Sequence, residues 1–501
     1  MNAIPAAVIV LAAGEGTRMR SSTPKVLHPI GGLALVGHAV RAARATGAPL
    51  VEVVVRHQRD RVVEYLATFD ESVVIADQDE IKGTGRAAEC GLDALPAVTS
   101  GTVVVMNGDH PLLDGDTLNG LIARHTEQAN AVTILTANLP DPTGYGRIVR
   151  GSDGSVERIV EHKDATDAER AITETNAGIY AFDGELLRSA LHEIGNDNAQ
   201  GEKYLTDVVA IARRRGRRVD AHVVTDLWPT EGVNDRVQLA TLGKELNRRI
   251  CERHMRAGVT IVDPATTWID VDVTIGADAT IRPNTELLGA TSIGAGAVVG
   301  PEVTLTDTEV GPGATVRRAE ALLAVIGAEA TVGPYSYLRP GTVLGPKGKI
   351  GGFVETKNAD IGEGAKVPHL TYAGDVTIGA GANIGAGTIF ANYDGVAKHH
   401  TRIGKHSFVG SQTVVVSPVQ VGDGAYVGAG TVLTRNVEPG EIAIARAGQR
   451  NVADWVDRAR PDTPTAAAAQ AARAAGARFA PTEAERHADN TPGATAEGDA
   501  R

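Results

Sequence analysis

The chain has 501 residues, 43% apolar and 22% charged, and its 49 basic against 61 acidic side chains leave a net charge of −12. Such a length allows about three domains, and the acidic balance argues against nucleic acid as the main partner. Two isolated cysteines, Cys90 and Cys251, offer neither a disulfide framework nor a cysteine-ligated zinc site, which suits the cytoplasm. No apolar run approaches the roughly 18 residues of a membrane-spanning helix. The stretch from Ile4 to Ala13 lacks the basic flank of a signal peptide and runs into a glycine loop.

From residue 1 to about 236 the sequence alternates strand-like and helix-like segments. Strands are expected at Ala7 to Leu11, Val51 to Val55, Ser72 to Ile75, Thr102 to Met106 and Ala131 to Thr136, with helices such as Leu35 to Ala45 and Leu118 to Glu127 between them. That alternation predicts a Rossmann-like α/β domain whose largely parallel sheet binds ligands beyond the carboxyl ends of its strands. Leu239, Leu242, Leu246 and Ile250 recur at spacings of three and four, so 237–257 reads as an amphipathic linker helix.

Beyond residue 258 the period changes. An aliphatic residue followed by glycine returns about every six residues, as in Ile275-Gly276, Ile293-Gly294, Val310-Gly311, Ile326-Gly327, Ile378-Gly379 and Val427-Gly428, and 29 of the 58 glycines fall between 261 and 440. A six-residue period is the signature of a parallel β-helix; a sandwich with glycine turns would not hold that register for so long. At three hexads to a coil, some 180 residues make about ten coils, a prism roughly 48 Å long at ~4.8 Å per stacked strand. The register breaks at 339–349 and at 392–401, where loops are expected to leave the prism. The β-helix is assigned to 258–460. Residues 461–501 hold 15 alanines and no Leu, Ile, Val, Met or Trp, so they are expected to form a disordered tail.

Three motifs carry chemistry. Leu11-Ala12-Ala13-Gly14-Glu15-Gly16-Thr17-Arg18 follows a strand, where bare glycines let backbone N–H groups approach phosphate and a following helix would add its dipole. It is neither a dinucleotide fingerprint nor a Walker loop, and Lys25 lies close enough in sequence to add a point charge. Asp109 ends the apolar strand Val103 to Met106, a place to hold Mg2+ against a nucleotide or simply to form a turn. His369, preceded by Pro368 inside the repeats, replaces the small residue a corner prefers and would take a proton from an amine near neutral pH; Glu355 is a candidate to orient it. The run Arg213, Arg214, Arg215, Arg217 and Arg218 reads as a solvated face.

Leu11 to Met19 together with Pro24-Lys25-Val26-Leu27, Gly83-Thr84-Gly85, Gly108-Asp109, Tyr145-Gly146-Arg147, Glu161-His162-Lys163-Asp164, Asn176-Ala177-Gly178 and Glu231-Gly232-Val233-Asn234, ahead of a hexapeptide domain, resemble the bacterial bifunctional N-acetylglucosamine-1-phosphate uridyltransferase and glucosamine-1-phosphate N-acetyltransferase family. The resemblance covers about residues 5 to 455. It implies that the C-terminal domain acetylates glucosamine 1-phosphate from acetyl-CoA, and that the N-terminal domain transfers uridylyl from UTP to the product, releasing pyrophosphate and supplying precursors of cell-envelope polysaccharide. It also implies a left-handed prism, a cytoplasmic homotrimer with acetyl sites shared between chains, and no nucleic-acid or membrane partner.

Carried over by motif, Leu11, Ala12, Ala13 and Gly14 would cradle the nucleotide with Lys25, and Lys25 and Arg18 would be catalytic, assisting the metal in neutralising charge that builds on the triphosphate. Gln78, Gly83 and Thr84 would meet uracil, Asp109 and Asn234 would hold Mg2+, and Gly146, Glu161 and Asn176 would meet the sugar phosphate. In the second site Arg339, Lys357, Tyr372 and Asn383 would bind glucosamine 1-phosphate. His369 would be the general base, with Glu355 beside it, and Ala386, Asn392, Tyr393, Ser411, Ala429 and Arg446 would contact acetyl-CoA. The chain departs from the family at Lys82, Arg86 and His110, where an aliphatic residue, a histidine and a smaller residue are usual; these departures bear on nucleotide affinity.

Overall fold

The structure, a computed structural model, describes residues 3–95, 100–198 and 200–480. Seven strands of the first sheet stand in the order Val219–Val224, Val132–Asn138, Glu174–Asp183, Thr102–Asn107, Ala7–Leu11, Val51–Val55 and Val74–Asp77. Ala7–Leu11 pairs in parallel with both Val51–Val55 and Thr102–Asn107. The long strand Glu174–Asp183 runs antiparallel to both of its neighbours, so the sheet is mixed rather than uniformly parallel. Its valine-rich centre is buried on both faces by helices, as continuous apolar strands require. Helices Leu35–Arg44 and Gly115–Glu127 and the strands expected near them appear within a few residues of their sequence bounds.

The helix Arg236–Arg256 starts at Asp235, whose side chain accepts from the backbone N–H groups of Val237 and Gln238. Leu242 packs into the α/β domain while Ile250 belongs to the core of the repeats. Asn247, buried, donates to the Thr267 carbonyl at 2.7 Å and accepts from Ile269 N–H at 3.0 Å, fastening the helix to the first coils. Val271 N–H also donates to the Gly31 carbonyl at 3.0 Å.

The repeats form a β-helix. Eleven short strands stack on one face from Thr260–Ile261 to Ile442–Ala443, and a seventeen-stranded sheet wraps the other two. Thr280 pairs with Val298, one coil of eighteen residues on, and Ile281, Val299, Val316, Val332, Ile350 and Val367 make one fully buried column. At the corners the chain passes so close to the coil above that a Cβ on Gly276 would lie 2.6 Å from the Ala295 nitrogen, a spacing only glycine permits. The insertion at 392–401 is present, since Thr377 pairs with Arg402 across a longer coil. The break expected at 339–349 is not a loop: Val325 pairs with Val343 and Tyr337 with Glu355 at the ordinary coil spacing.

The strand ladders end at Ala443, short of residue 460, and from Ala445 the chain forms a second compact unit. Within the stretch expected to be disordered, Pro464–Ala474 is an α-helix whose N-cap Thr463 accepts from Ala466 N–H. Alanine's high helix propensity, a cap and a proline in the first turn act locally, whereas the disorder argument weighed only the lack of a core. Residues 481–501 lie outside the described residues.

Glu52, the second residue of the strand Val51–Val55, is fully buried, and neither carboxylate oxygen has a hydrogen-bond partner among the described residues. Burial pushes its pKa from the ordinary 4.5 up to about 8. The folded state therefore holds a proton that the unfolded state releases, so stability falls as pH rises from 4.5 to 8. Glu52→Gln is expected to be more stable than the parent, by a margin that grows across that window to roughly 4 kcal/mol. Denaturant unfolding at pH 5 and pH 8.5 checks this, and equal margins at both would refute it.

Candidate functional site

The carboxyl ends of the parallel strands open into a cavity of about 550 Å3 lined by Leu11 to Arg18, Lys25, Gln78, Lys82 to Thr84, Asn107, Asp109, Gln200 and Glu202. Gly108 N–H donates to the Leu11 carbonyl at 2.9 Å, which lays the glycine loop beside the strand end that carries Asp109. Gly16 has φ +62, and a Cβ there would sit 2.5 Å from Lys25 Cβ, so the loop closes only around glycine. Thr17–Met19 is a single 3-10 turn rather than the start of a longer helix. The expected dipole is thus absent, and bare N–H groups with Lys25 and Arg18 are what the loop offers an anion.

Lys25 Nζ and Asp109 Oδ2 form an ion pair at the cavity wall. Arg18 donates to Asn234 Oδ1 at 2.8 Å, and Val233 N–H donates to the Asp109 carbonyl at 3.0 Å, bringing the 231–234 segment against Asp109. Asp109 is half-buried; burial raises its pKa, but the charge of Lys25 and the His110 ring outweigh it and hold the carboxyl well below the usual range. Asp109 Oδ1 and His110 Nδ1 lie 2.9 Å apart and have no other partner among the described residues. The donor types suit magnesium: a carboxylate, Asp109, and an amide oxygen, Asn234, lie on adjoining segments beside the glycine loop, as expected of an ion that takes its other ligands from phosphates and water. Among the described residues no group of three His, Cys, Asp or Glu suits a metal, so a self-contained protein cage is not what is built here.

Gln78 donates to the Ile81 carbonyl at 2.8 Å and lies 3.4 Å from that of Gly83. Gly83, at φ +118, packs so tightly on the backbone of Lys203 that a Cβ would meet its carbonyl oxygen at 2.2 Å. Thr84 begins the helix Thr84–Ala94 and accepts from Leu205 N–H. Across the cavity mouth, Asn176 N–H donates to the Gly146 carbonyl at 2.9 Å, and a Cβ on Gly146 would lie 3.5 Å from both oxygens of Glu161. Gly146, Glu161 and Asn176 thus belong to one wall. Glu161 has its pKa raised by burial and by Asp164 and Asp207. Arg147 is buried and donates to the Tyr145 carbonyl, and the Tyr145 hydroxyl donates to Glu231 at 2.9 Å.

In the β-helix, Glu355 pairs across the ladder with Tyr372, and Lys357 with Gly374. A Cβ on Gly374 would strike the Tyr372 hydroxyl and come within 2.8 Å of Asn392 Nδ2, so Tyr372 lies over this glycine toward Asn392. Asn392 and Asn358 both donate to buried Asp375. Lys357 has its pKa lowered by the neighbouring Lys398, with Arg339 adding to it. His369 is exposed at the corner ahead of Tyr372, with no side-chain partner among the described residues. Glu355 does not orient it: that carboxylate accepts from Arg339 at 2.9 Å, because the paired strands stack the two side chains on one face. Asn383 stands in the stacked face beside Phe408. Ala386 and Ser411 follow successive strands of that face, linked by Gln412 N–H donating to the Ala386 carbonyl, and Gly430 N–H, next to Ala429, donates to that of Ser411. Tyr393 is exposed on the insertion. Arg446 falls in the second unit.

The MobA-like NTP transferase domain model matches residues 8–176, and the bacterial transferase hexapeptide model matches residues 400–435. Over 470 residues the chain is 58% identical to the bifunctional protein GlmU of Kineococcus radiotolerans, covering 94% of this chain and 96% of that one. It is 57% identical to that of Clavibacter sepedonicus (92% and 94% covered) and 56% identical to that of Streptomyces avermitilis (94% and 98%). The chain belongs to the bifunctional GlmU family.

Against the GlmU pattern, the arginine run is accounted for by its partners: Arg213, Arg215, Arg217 and Arg218 reach Ser155, Glu193, Asp183 and Gln128. His399 and His400 also take separate partners, Asp394 and Thr377. Sequence reasoning missed Lys398, although it sits in the insertion that was legible from the broken period. Lys398→Met is expected to raise the pKa of Lys357 by removing the neighbouring positive charge. A titration of the lysine side-chain 13C signals would report it, and an unmoved Lys357 would separate the two lysines.

Proposed function

We propose that this chain makes UDP-N-acetylglucosamine, acetylating glucosamine 1-phosphate in the β-helix and joining the product to a uridylyl group in the α/β domain. The observation that carries this reading is the presence of two unlike sites on one chain. One is a glycine loop facing Lys25 and Asp109; the other is a cationic cluster of Arg339, Lys357 and Lys398 on the coils that carry Tyr372, with His369 at the end of the preceding strand.

In the β-helix the cations bind the sugar phosphate and Tyr372 and Asn383 line the sugar, leaving its amine toward His369. The amine attacks the thioester carbonyl of acetyl-CoA, His369 takes the ammonium proton, and the thiol of CoA leaves, with the Ser411 region supporting the oxyanion. Ala386, Asn392, Tyr393 and Ala429 hold the cosubstrate. Glu355 acts by holding Arg339.

In the α/β domain the backbone of Leu11 to Gly14 receives the triphosphate, while Gln78, Gly83 and Thr84 hold uracil. Gly146, Glu161 and Asn176 fix N-acetylglucosamine 1-phosphate so that its phosphate oxygen attacks the α-phosphorus and pyrophosphate departs in line. Lys25 and Arg18 stabilise the charge that develops. Mg2+, held by Asp109 and Asn234, would supply further neutralisation of the phosphates. We further propose a cytoplasmic homotrimer assembled through a left-handed β-helix, feeding cell-envelope polysaccharide synthesis; the exposed Tyr335, Phe353, Phe408 and Tyr426 on one chain are in keeping with such packing.

Incubation with glucosamine 1-phosphate, UTP and Mg2+ is expected to yield UDP-N-acetylglucosamine only when acetyl-CoA is added; a requirement for preformed N-acetylglucosamine 1-phosphate would leave uridyl transfer as the sole activity. His369→Ala is expected to lower acetyl transfer by ~10² to 10⁴ while sparing uridyl transfer. Asp109→Ala should do the reverse, and equal loss of both activities in either variant would contradict separate sites.

A further inference from the structure

At the Gln78–Thr84 end of the cavity, charges on three chain segments are linked through Arg86 and Glu89. Glu89, on the helix Thr84–Ala94, is buried and accepts from Arg86 at 2.7 Å and from Lys203 at 3.2 Å. Arg86 reaches in the other direction to both oxygens of Asp79, donating to Oδ2 at 2.6 Å and to Oδ1 at 3.2 Å. Asp79 Oδ1 in turn accepts from Ile81 N–H at 3.0 Å, and Ile81 offers its carbonyl to the Gln78 amide nitrogen. Lys203 is the residue whose backbone is packed against Gly83 and receives Gly85 N–H at 2.9 Å. Arg86 itself is absent from the cavity lining, whereas Gln78, Gly83 and Thr84 are in it.

We infer that Arg86 and Asp79 are positioning residues that set nucleobase affinity and selectivity through the loop 78–83. The inference rests on uridylyl transfer at this site and extends it to residues that never meet the base. With its amide nitrogen occupied by Ile81 and Gly83, Gln78 has its carbonyl oxygen left for a donor. The N3–H of uracil is such a donor, while N3 of cytosine carries a lone pair and would be repelled. That discrimination requires the amide to stay in one orientation, and the bidentate Arg86–Asp79 contact is what holds the turn that fixes it. An arginine where the family usually has histidine therefore does not intrude on the nucleotide; it braces the loop from behind.

The experiment measures uridyl transfer with UTP and CTP for the wild type, Arg86→Met, Asp79→Asn and the double variant, with acetyl transfer by the same preparations as the control for folding. Arg86→Met is expected to raise KM for UTP by about tenfold and lower the UTP/CTP preference by a similar factor, leaving kcat and KM for the sugar phosphate within about threefold. Asp79→Asn should do the same, and the double variant should be no worse than either single one because both act through one contact. Arg86→Lys, which keeps a charge and most of the stem, is expected to fall between and guards against a misfolded Met variant. An unchanged UTP/CTP preference in both Arg86 variants, or effects that multiply in the double variant, would overturn the inference while wild-type turnover of UTP leaves uridyl transfer standing.

Discussion

One backbone hydrogen bond sets the geometry of the nucleotide cavity: Gly108 N–H to the Leu11 carbonyl. It continues the parallel pairing of Leu11 with Asn107 one step past the end of the sheet. The glycine loop and the Asp109 turn are thereby held to the same height, and Lys25 can reach Asp109 across the gap. A slip of one residue in that register would turn Asp109 to the other face of the strand. The apolar burial on both sides of Ala7–Leu11 and Thr102–Asn107 guards against such a slip.

The β-helix meets the same positioning requirement by repetition. Each coil is nearly identical to the last, so a side chain's place is fixed by its height and its face. Glu355, Tyr372 and Ile389 stack on one ladder, and the strand holding Lys357 lies beside that of Gly374. Asn392 to Thr401 is the departure, and it places Lys398 near Lys357. A rigid prism with one insertion can hold several cations together because the buried columns of valine and isoleucine, not the cations, supply its stability.

Much of this was legible in the sequence, for identifiable reasons. A period of six over many coils leaves little freedom in fold, and apolar runs ending in glycine or aspartate mark where strands deliver chemistry. Three features were not legible. The antiparallel strand Glu174–Asp183 has the same apolar composition as its parallel neighbours, and direction carries no local signal. The Arg339–Glu355 pair depends on which coil lies above which, and the spacing at 339–349 suggested a loop that the coil in fact absorbs. Helix Pro464–Ala474 arises from propensity and capping, which an argument from core burial does not see.

The two sites solve opposite electrostatic problems. In the α/β domain Lys25 is already paired with Asp109 and Arg18 with Asn234, so an anion entering the cavity would displace contacts that exist beforehand. In the β-helix the order is reversed: Lys357, Lys398 and Arg339 crowd together with Glu355 and Asp375 as the nearby carboxylates. The neighbouring cations lower the pKa of Lys357, a repulsion that an anion would relieve. The first arrangement ties anion binding to a change of partners, whereas the second keeps like charges close together while Arg339 stays paired with Glu355.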